Sequence, residues 1–181
     1  EMFSKFLPAD SGFQAQYEDY AMGYNLTNRM PLFVYPAKGS VTLQSVSDLF
    51  RSHYEDSILD MSGTVKKNDL GAQGDNNAYR AHPLTWEYSD KTYLNERPIG
   101  TQQTGWNFIA QTRSWMPYPL KGVFWFGVDD SSTTVRVPFY GSANKVPIGW
   151  GGKGTQDGVV SPMMTFSMDK AFYAFNVVAN W

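Results

Sequence analysis

Apolar residues recur along this chain first at helical spacing and then at alternate positions. In residues 10–24, Phe13, Tyr17, Tyr20, Ala21 and Tyr24 fall on one helical face, with Asp10 or Ser11 placed to cap the first free N–H groups. A second helix is predicted over residues 42–56, with Thr42 as its cap. Its stripe is Val46, Leu49, Phe50, His53 and Tyr54, and Arg51 and Glu55 are spaced for a pair on its flank. Between them Leu32 to Tyr35 reads as a short strand bounded by Pro31 and Pro36.

Beyond residue 84 the pattern becomes strand-like. Leu84–Tyr88 and Thr92–Asn95 predict a hairpin around Ser89-Asp90-Lys91. Residues 105–115 alternate, with Trp106, Phe108, Ala110 and Thr112 on one face and Asn107, Ile109, Gln111 and Arg113 on the other. Val123–Val128 is apolar throughout, which predicts burial of both its faces. Asp129-Asp-Ser-Ser132 turns the chain into an alternating segment from Thr134 to Phe139, and a last helix is expected to bury Met168, Phe172, Phe175 and Ala179. Two helices, then strands, then a helix predict an α+β fold with an antiparallel sheet. Residues 62–82, rich in Gly, Asn and Asp, read as a long loop.

Composition narrows the classes. The chain has 181 residues, which suits a single domain or a fragment of one, and 42% are hydrophobic, enough for a packed core. A net charge of -2 leaves no basic excess to neutralise phosphates, which argues against a nucleic-acid partner. No apolar run is long enough to span a bilayer. There is no cysteine, hence no disulfide and no thiolate metal site, while the compartment stays open. The chain starts at Glu1 rather than an initiator methionine, and the helical pattern near Trp181 has no stop signal. Both ends predict a piece of a longer protein.

Most motifs resolve to ordinary roles. Gly149-Trp-Gly-Gly-Lys-Gly154 matches a dinucleotide-binding pattern by letter but has neither the preceding strand nor the following helix that the chemistry requires, so it reads as a loop. His53, on an apolar face, reads as a hydrogen-bonded core residue, and His82 as the end of a loop. Neither has a partner at metal-ligand spacing, and Asp69, Asp75, Asn76 and Asn77 miss the calcium-loop spacing, so no metal or other cofactor is expected. Asp129 and Asp130 fit a turn better than an acid–base pair, because adjacent strand residues point to opposite faces. Arg113 on an apolar strand has two readings. One is a structural guanidinium bonded to carbonyls, and the other is a fixed positive charge at the floor of a site.

Four blocks carry a family resemblance: Asn28-Arg-Met-Pro-Leu-Phe33; Asp48-Leu-Phe-Arg-Ser-His-Tyr-Glu-Asp56 with Asp60; Asn95 through Asp130; and Ala171-Phe-Tyr-Ala-Phe-Asn-Val-Val-Ala-Asn180. Together they resemble the C-terminal half of the dipeptidase A family, cysteine-type dipeptidases related to secernins within the N-terminal-nucleophile hydrolases. The resemblance implies a four-layer αββα sandwich. It also implies a cysteine nucleophile at the mature N-terminus, whose own amine serves as base.

The chain departs from that pattern at residue 1, which is Glu1, and in having no cysteine. The nucleophile is therefore expected outside the chain, and the 181 residues alone are expected to be inactive. Arg113 matches an arginine that related hydrolases carry near the nucleophile, which implies an electrostatic role. Gln111 and Asn107, on the same strand face, are the candidate substrate-binding groups, with a dipeptide as substrate. A missing half would leave an apolar face bare, so a homo-oligomer or poor solubility is expected. The alternative function is a non-catalytic, aromatic-rich module binding glycans or peptides.

Overall fold

The computed structural model describes residues 2–37, 39, 41–55, 85–94, 97–151 and 166–180. The predicted loop at 62–82, His82, the Asp69 to Asn77 cluster and most of the glycine-rich loop after Gly151 lie outside them. The chain divides into two compact units, Glu1–Leu49 and Phe50–Trp181.

The first unit is helical. α1 (Met2–Phe6) meets α2 (Phe13–Ala21) edge-to-face through Phe3 and Phe13, whose ring centres are 5.8 Å apart. α2 is shorter than predicted. Gly12, at φ 63°, caps it without a side-chain bond, while Ser11 Oγ only weakly accepts the Phe13 N–H at 3.4 Å. None of its residues is fully buried. The predicted strand at Leu32 to Tyr35 does not form. The two prolines remove ladder donors, and Leu32, Phe33 and Tyr35 stay exposed.

α3 (Leu43–Phe50) begins as expected. Thr42 Oγ1 accepts the Ser45 N–H at 3.0 Å, and Ser45 Oγ accepts the Thr42 N–H at 2.8 Å, a reciprocal cap. It ends at Phe50 instead of residue 56. Tyr54 sits at φ 64°, which no helix continues through. The Arg51–Glu55 pair consequently does not form, because those residues leave the helical spacing.

The second unit holds two sheets. β1 (Thr85–Tyr88) and β2 (Lys91–Leu94) pair antiparallel around a two-residue turn. Ser89 at φ 49° and Asp90 at φ 59° supply the left-handed conformations that such a hairpin turn requires. β3 (Trp106–Thr112), β4 (Gly122–Val128) and β5 (Val137–Tyr140) form an antiparallel sheet in that order. Trp106 faces Val128 and Thr112 faces Gly122 across the β3–β4 ladder. A short 3-10 turn, Tyr118–Leu120, leads into β4, and α4 (Ala171–Asn180) closes the unit.

The alternation predicted for β3 is present, but its aromatic face is the more exposed one. Cross-strand pairing places Trp106, Phe108, Phe124, Phe126 and Phe139 on that face. β4 therefore buries Val123 on one side while Phe124 stays open on the other, contrary to the expectation of two buried faces. Met168 precedes α4 and is exposed, whereas Phe172, Phe175 and Ala179 are half-buried.

Candidate functional site

The densest polar cluster lies where β4 turns into β5. Asp129, at φ 68°, and Asp130 are 4% and 0% exposed. Asp130 Oδ1 accepts the Ser132 N–H at 2.9 Å, and its carbonyl accepts the Thr134 N–H, which is the turn role expected from the sequence. Asp129 Oδ1 accepts from Asn176 Nδ2 of α4 at 3.4 Å, while its Oδ2 is buried with no partner. Burial pushes this carboxyl above its usual range, the Asp130 charge adds to the rise, and bonds from Asn176 and the Asp130 N–H oppose it.

His53 joins this turn to the segment after α3. Its Nδ1 lies 3.1 Å from Glu55 Oε1, and its Nε2 lies 3.1 Å from Ser132 Oγ. A carboxylate only accepts, so in the neutral ring Nδ1 carries the proton and Ser132 donates to Nε2. Burial alone would raise the Glu55 carboxyl. Bonds from its own N–H, from the His53 N–H and from the His53 ring outweigh it and lower the pKa.

Serine, histidine and carboxylate in this order could in principle activate a nucleophile. The Gly100 backbone packs directly against this pair, since a Cβ on Gly100 would come within 2.5 Å of Ser132 Oγ and 3.0 Å of His53 Nε2. The Gly100 N–H donates to Ser52 O, and Ser131 Oγ donates to Phe50 O. The relay thus clamps three segments together. His53 is a hydrogen-bonded core residue, as the sequence suggested. Its partner Ser132 is 79 positions away, and no local signal announces that contact.

The face of β3 opposite the aromatic one carries Asn107 and Gln111, with Arg113 just beyond its end. Arg113 Nη2 donates to Leu120 O at 2.7 Å, its guanidinium lies 5.4 Å from the Tyr140 ring centre, and its Nε is buried without a partner. Gln111 Oε1 accepts the Trp125 indole N–H at 3.1 Å. Asn107 Nδ2 donates to Asp129 O at 3.3 Å, and its Oδ1 is buried without a partner. At about 3.3 Å per residue, Asn107 and Arg113 stand roughly 20 Å apart along the strand. The three groups share a face but do not converge on one point.

On the aromatic face, a cavity of about 200 Å³ opens between the Trp106 end of the sheet, the Gly149-Trp150 turn and the start of α4. Trp106, Phe126, Trp150 and Phe172 line it, and Lys170 is the cation on its wall. The alternation of β3 pointed to Trp106, but nothing in the sequence brings Lys170 to it.

Among the described residues no three His, Asp or Glu side chains gather as a metal site, and no helix is long and apolar enough to cross a membrane. No curated protein and no solved structure matches the chain. The model of peptidase family C69 matches residues 12–181, nearly the whole sequence and all four of the blocks that suggested a peptide hydrolase. The chain, with its mixed helices and antiparallel sheets, belongs to peptidase family C69.

Proposed function

We propose that this chain forms one wall of the active site of a cysteine-type dipeptidase, its nucleophile supplied by polypeptide outside these 181 residues. The observation that carries this reading is the family match over residues 12–181 in a sequence without a cysteine. The chain then corresponds to the C-terminal half of a four-layer αββα sandwich, and the β3–β4–β5 sheet is its contribution to the cleft. The missing residue is an N-terminal cysteine whose thiolate attacks the peptide carbonyl while its own amine takes the proton.

Within this reading Arg113 is a fixed positive charge at one end of the wall, with Gln111 beside it. An extended dipeptide spans only about 7 Å. A substrate near Arg113 and Gln111 therefore does not reach Asn107, whose role is to brace the Asp129 turn.

The test is hydrolysis of dipeptides and of longer peptides by the reduced full-length parent, with and without iodoacetamide. Cleavage confined to dipeptides and abolished by alkylation is expected, and the 181-residue chain alone should show none. Absence of hydrolysis by the folded parent would sink the reading. Arg113→Ala in the parent is expected to lower kcat at least about tenfold, the loss of one charge-assisted contact. Arg113→Lys and the melting temperature separate that effect from loosening of the Leu120 turn. Equal kcat in both variants would return Arg113 to a structural role.

A further inference from the structure

The turn between β4 and β5 gathers two cations that the peptidase reading does not use. Arg51, just past α3, donates from Nε to Ser132 O at 3.2 Å, and Arg136 donates from Nη2 to Ser131 O at 3.2 Å. Two guanidiniums are thus anchored on consecutive carbonyls of one turn. Two further contacts hold these segments together. Ser131 Oγ donates to Phe50 O at 2.7 Å, and the Arg136 guanidinium lies 5.2 Å from the Phe50 ring centre.

The turn holds more donors than it uses. Arg136 Nε and Nη1 are buried and make no hydrogen bond, and the same is true of the Thr133 hydroxyl on the same turn. A buried polar group left unbonded is costly, more so on a charged side chain, and such orphans mark the place of an ion or a water. Burial pushes the Arg136 guanidinium down to about 10, and the charge of Arg51 adds to the fall. An anion on the pair would offset that repulsion and accept from the unbonded donors. Both arginines are half-buried, a depth that suits a small ion better than a polymer.

We propose that Arg51 and Arg136, with the Thr133 hydroxyl, hold a phosphate group. Two guanidiniums balance a dianion, whereas a carboxylate would leave one positive charge over. A tetrahedral oxyanion also accepts from several directions at once, as donors on separate side chains require. The site lies at the end of β4 opposite the Arg113 turn, and its assignment does not depend on the peptidase reading.

Inorganic phosphate and phenyl phosphate are titrated calorimetrically into the 181-residue chain at neutral pH, against chloride at equal ionic strength. Saturable binding of phosphate is expected, with a melting temperature that rises with its concentration. Phenyl phosphate binding equally well extends the site to phosphate esters, and its exclusion assigns the site to the free ion. Arg136→Gln and Arg51→Gln are each expected to weaken phosphate at least about tenfold, the loss of one charge-assisted hydrogen bond. Arg51→Gln leaves the Phe50 ring contact of Arg136 in place, so it carries the test if Arg136→Gln does not fold. Lys145→Gln removes the same charge from an exposed loop position and should leave phosphate binding unchanged. Binding no better than chloride overturns the proposal, which is also the outcome if a carboxylate of the chain itself satisfies the pair. Unchanged affinity in both arginine variants overturns it as well. So does an equal loss in Lys145→Gln, which reduces the effect to net charge.

Discussion

Asp129 concentrates the cost of the polar turn in one side chain. It is almost fully buried, one of its carboxyl oxygens has no partner, and burial holds its pKa above 3.8. The sign follows directly. A carboxyl whose folded pKa is raised prefers to be neutral in the fold, so its contribution is most favourable at low pH and is lost as pH rises through the folded value. Asp129→Asn removes the charge and keeps the shape. Asparagine also tolerates the left-handed backbone found there at φ 68°. The substitution is expected to raise the melting temperature at neutral pH, by about 2–4 °C for each kcal/mol relieved, and to shrink the gain on acidification. Glu55 acts with the opposite sign. Its lowered pKa contributes stability above about 4.5, which is lost as pH falls through the depressed value. Melting curves of the wild type, Asp129→Asn and Glu55→Gln between pH 3 and 7, roughly the range carboxyls span when perturbed, separate the two.

At the level of elements, the β3–β4 ladder depends on Gly127. A Cβ there would lie 2.8 Å from both Thr134 Cγ2 and Thr134 Oγ1, and 3.2 Å from Asn107 Oδ1. Gly127→Ala is expected to cost about 1–3 kcal/mol in chemical denaturation, and adding Thr134→Ala should recover much of it. A cost unchanged by the second substitution would mean that the turn does not press on the strand. What was legible in the sequence follows the same division between local and distant contacts. The alternation of β3, the hairpin at Ser89-Asp90 and the Thr42 cap are set by neighbours within a few residues, and each is present. The second helix overran because His53 and Tyr54 continue the apolar spacing, while their actual positions answer to Ser132 and to a positive φ. The apolar run of β4 suggested two covered faces, but a run of apolar residues says nothing about whether a second layer is there to cover Phe124. For the site, the sequence placed Arg113, Gln111 and Asn107 on one strand face, yet their separation along it, and the Lys170 cavity, depend on pairing and on loops that no periodicity encodes.

For the molecule as a whole, the bare aromatic face is the main consequence. Trp106, Phe108 and Phe124 are 59%, 39% and 49% exposed and form a continuous patch, with ring centres 5.9 Å apart between Trp106 and Phe108 and 5.0 Å between Phe108 and Phe124. Isolated exposed apolar residues are ordinary, but a patch of touching rings is not, and it acts as an interaction surface or an aggregation site. The 181-residue chain is therefore expected to self-associate as its concentration rises through the micromolar range, measured by light scattering on a sizing column. Phe108→Gln with Phe124→Gln should abolish the association and leave the melting temperature within a few degrees, because rings that face water contribute little to the fold. Under the proposed reading of the chain as part of a longer protein, the same pair in that protein discriminates between two explanations. If the rest of the parent covers this face, the substitutions bury unpaired amides there and destabilise it by several kcal/mol. If the face binds a second copy, the parent loses oligomerisation and keeps its stability. A chain that stays monomeric throughout, with the face intact, would exclude both.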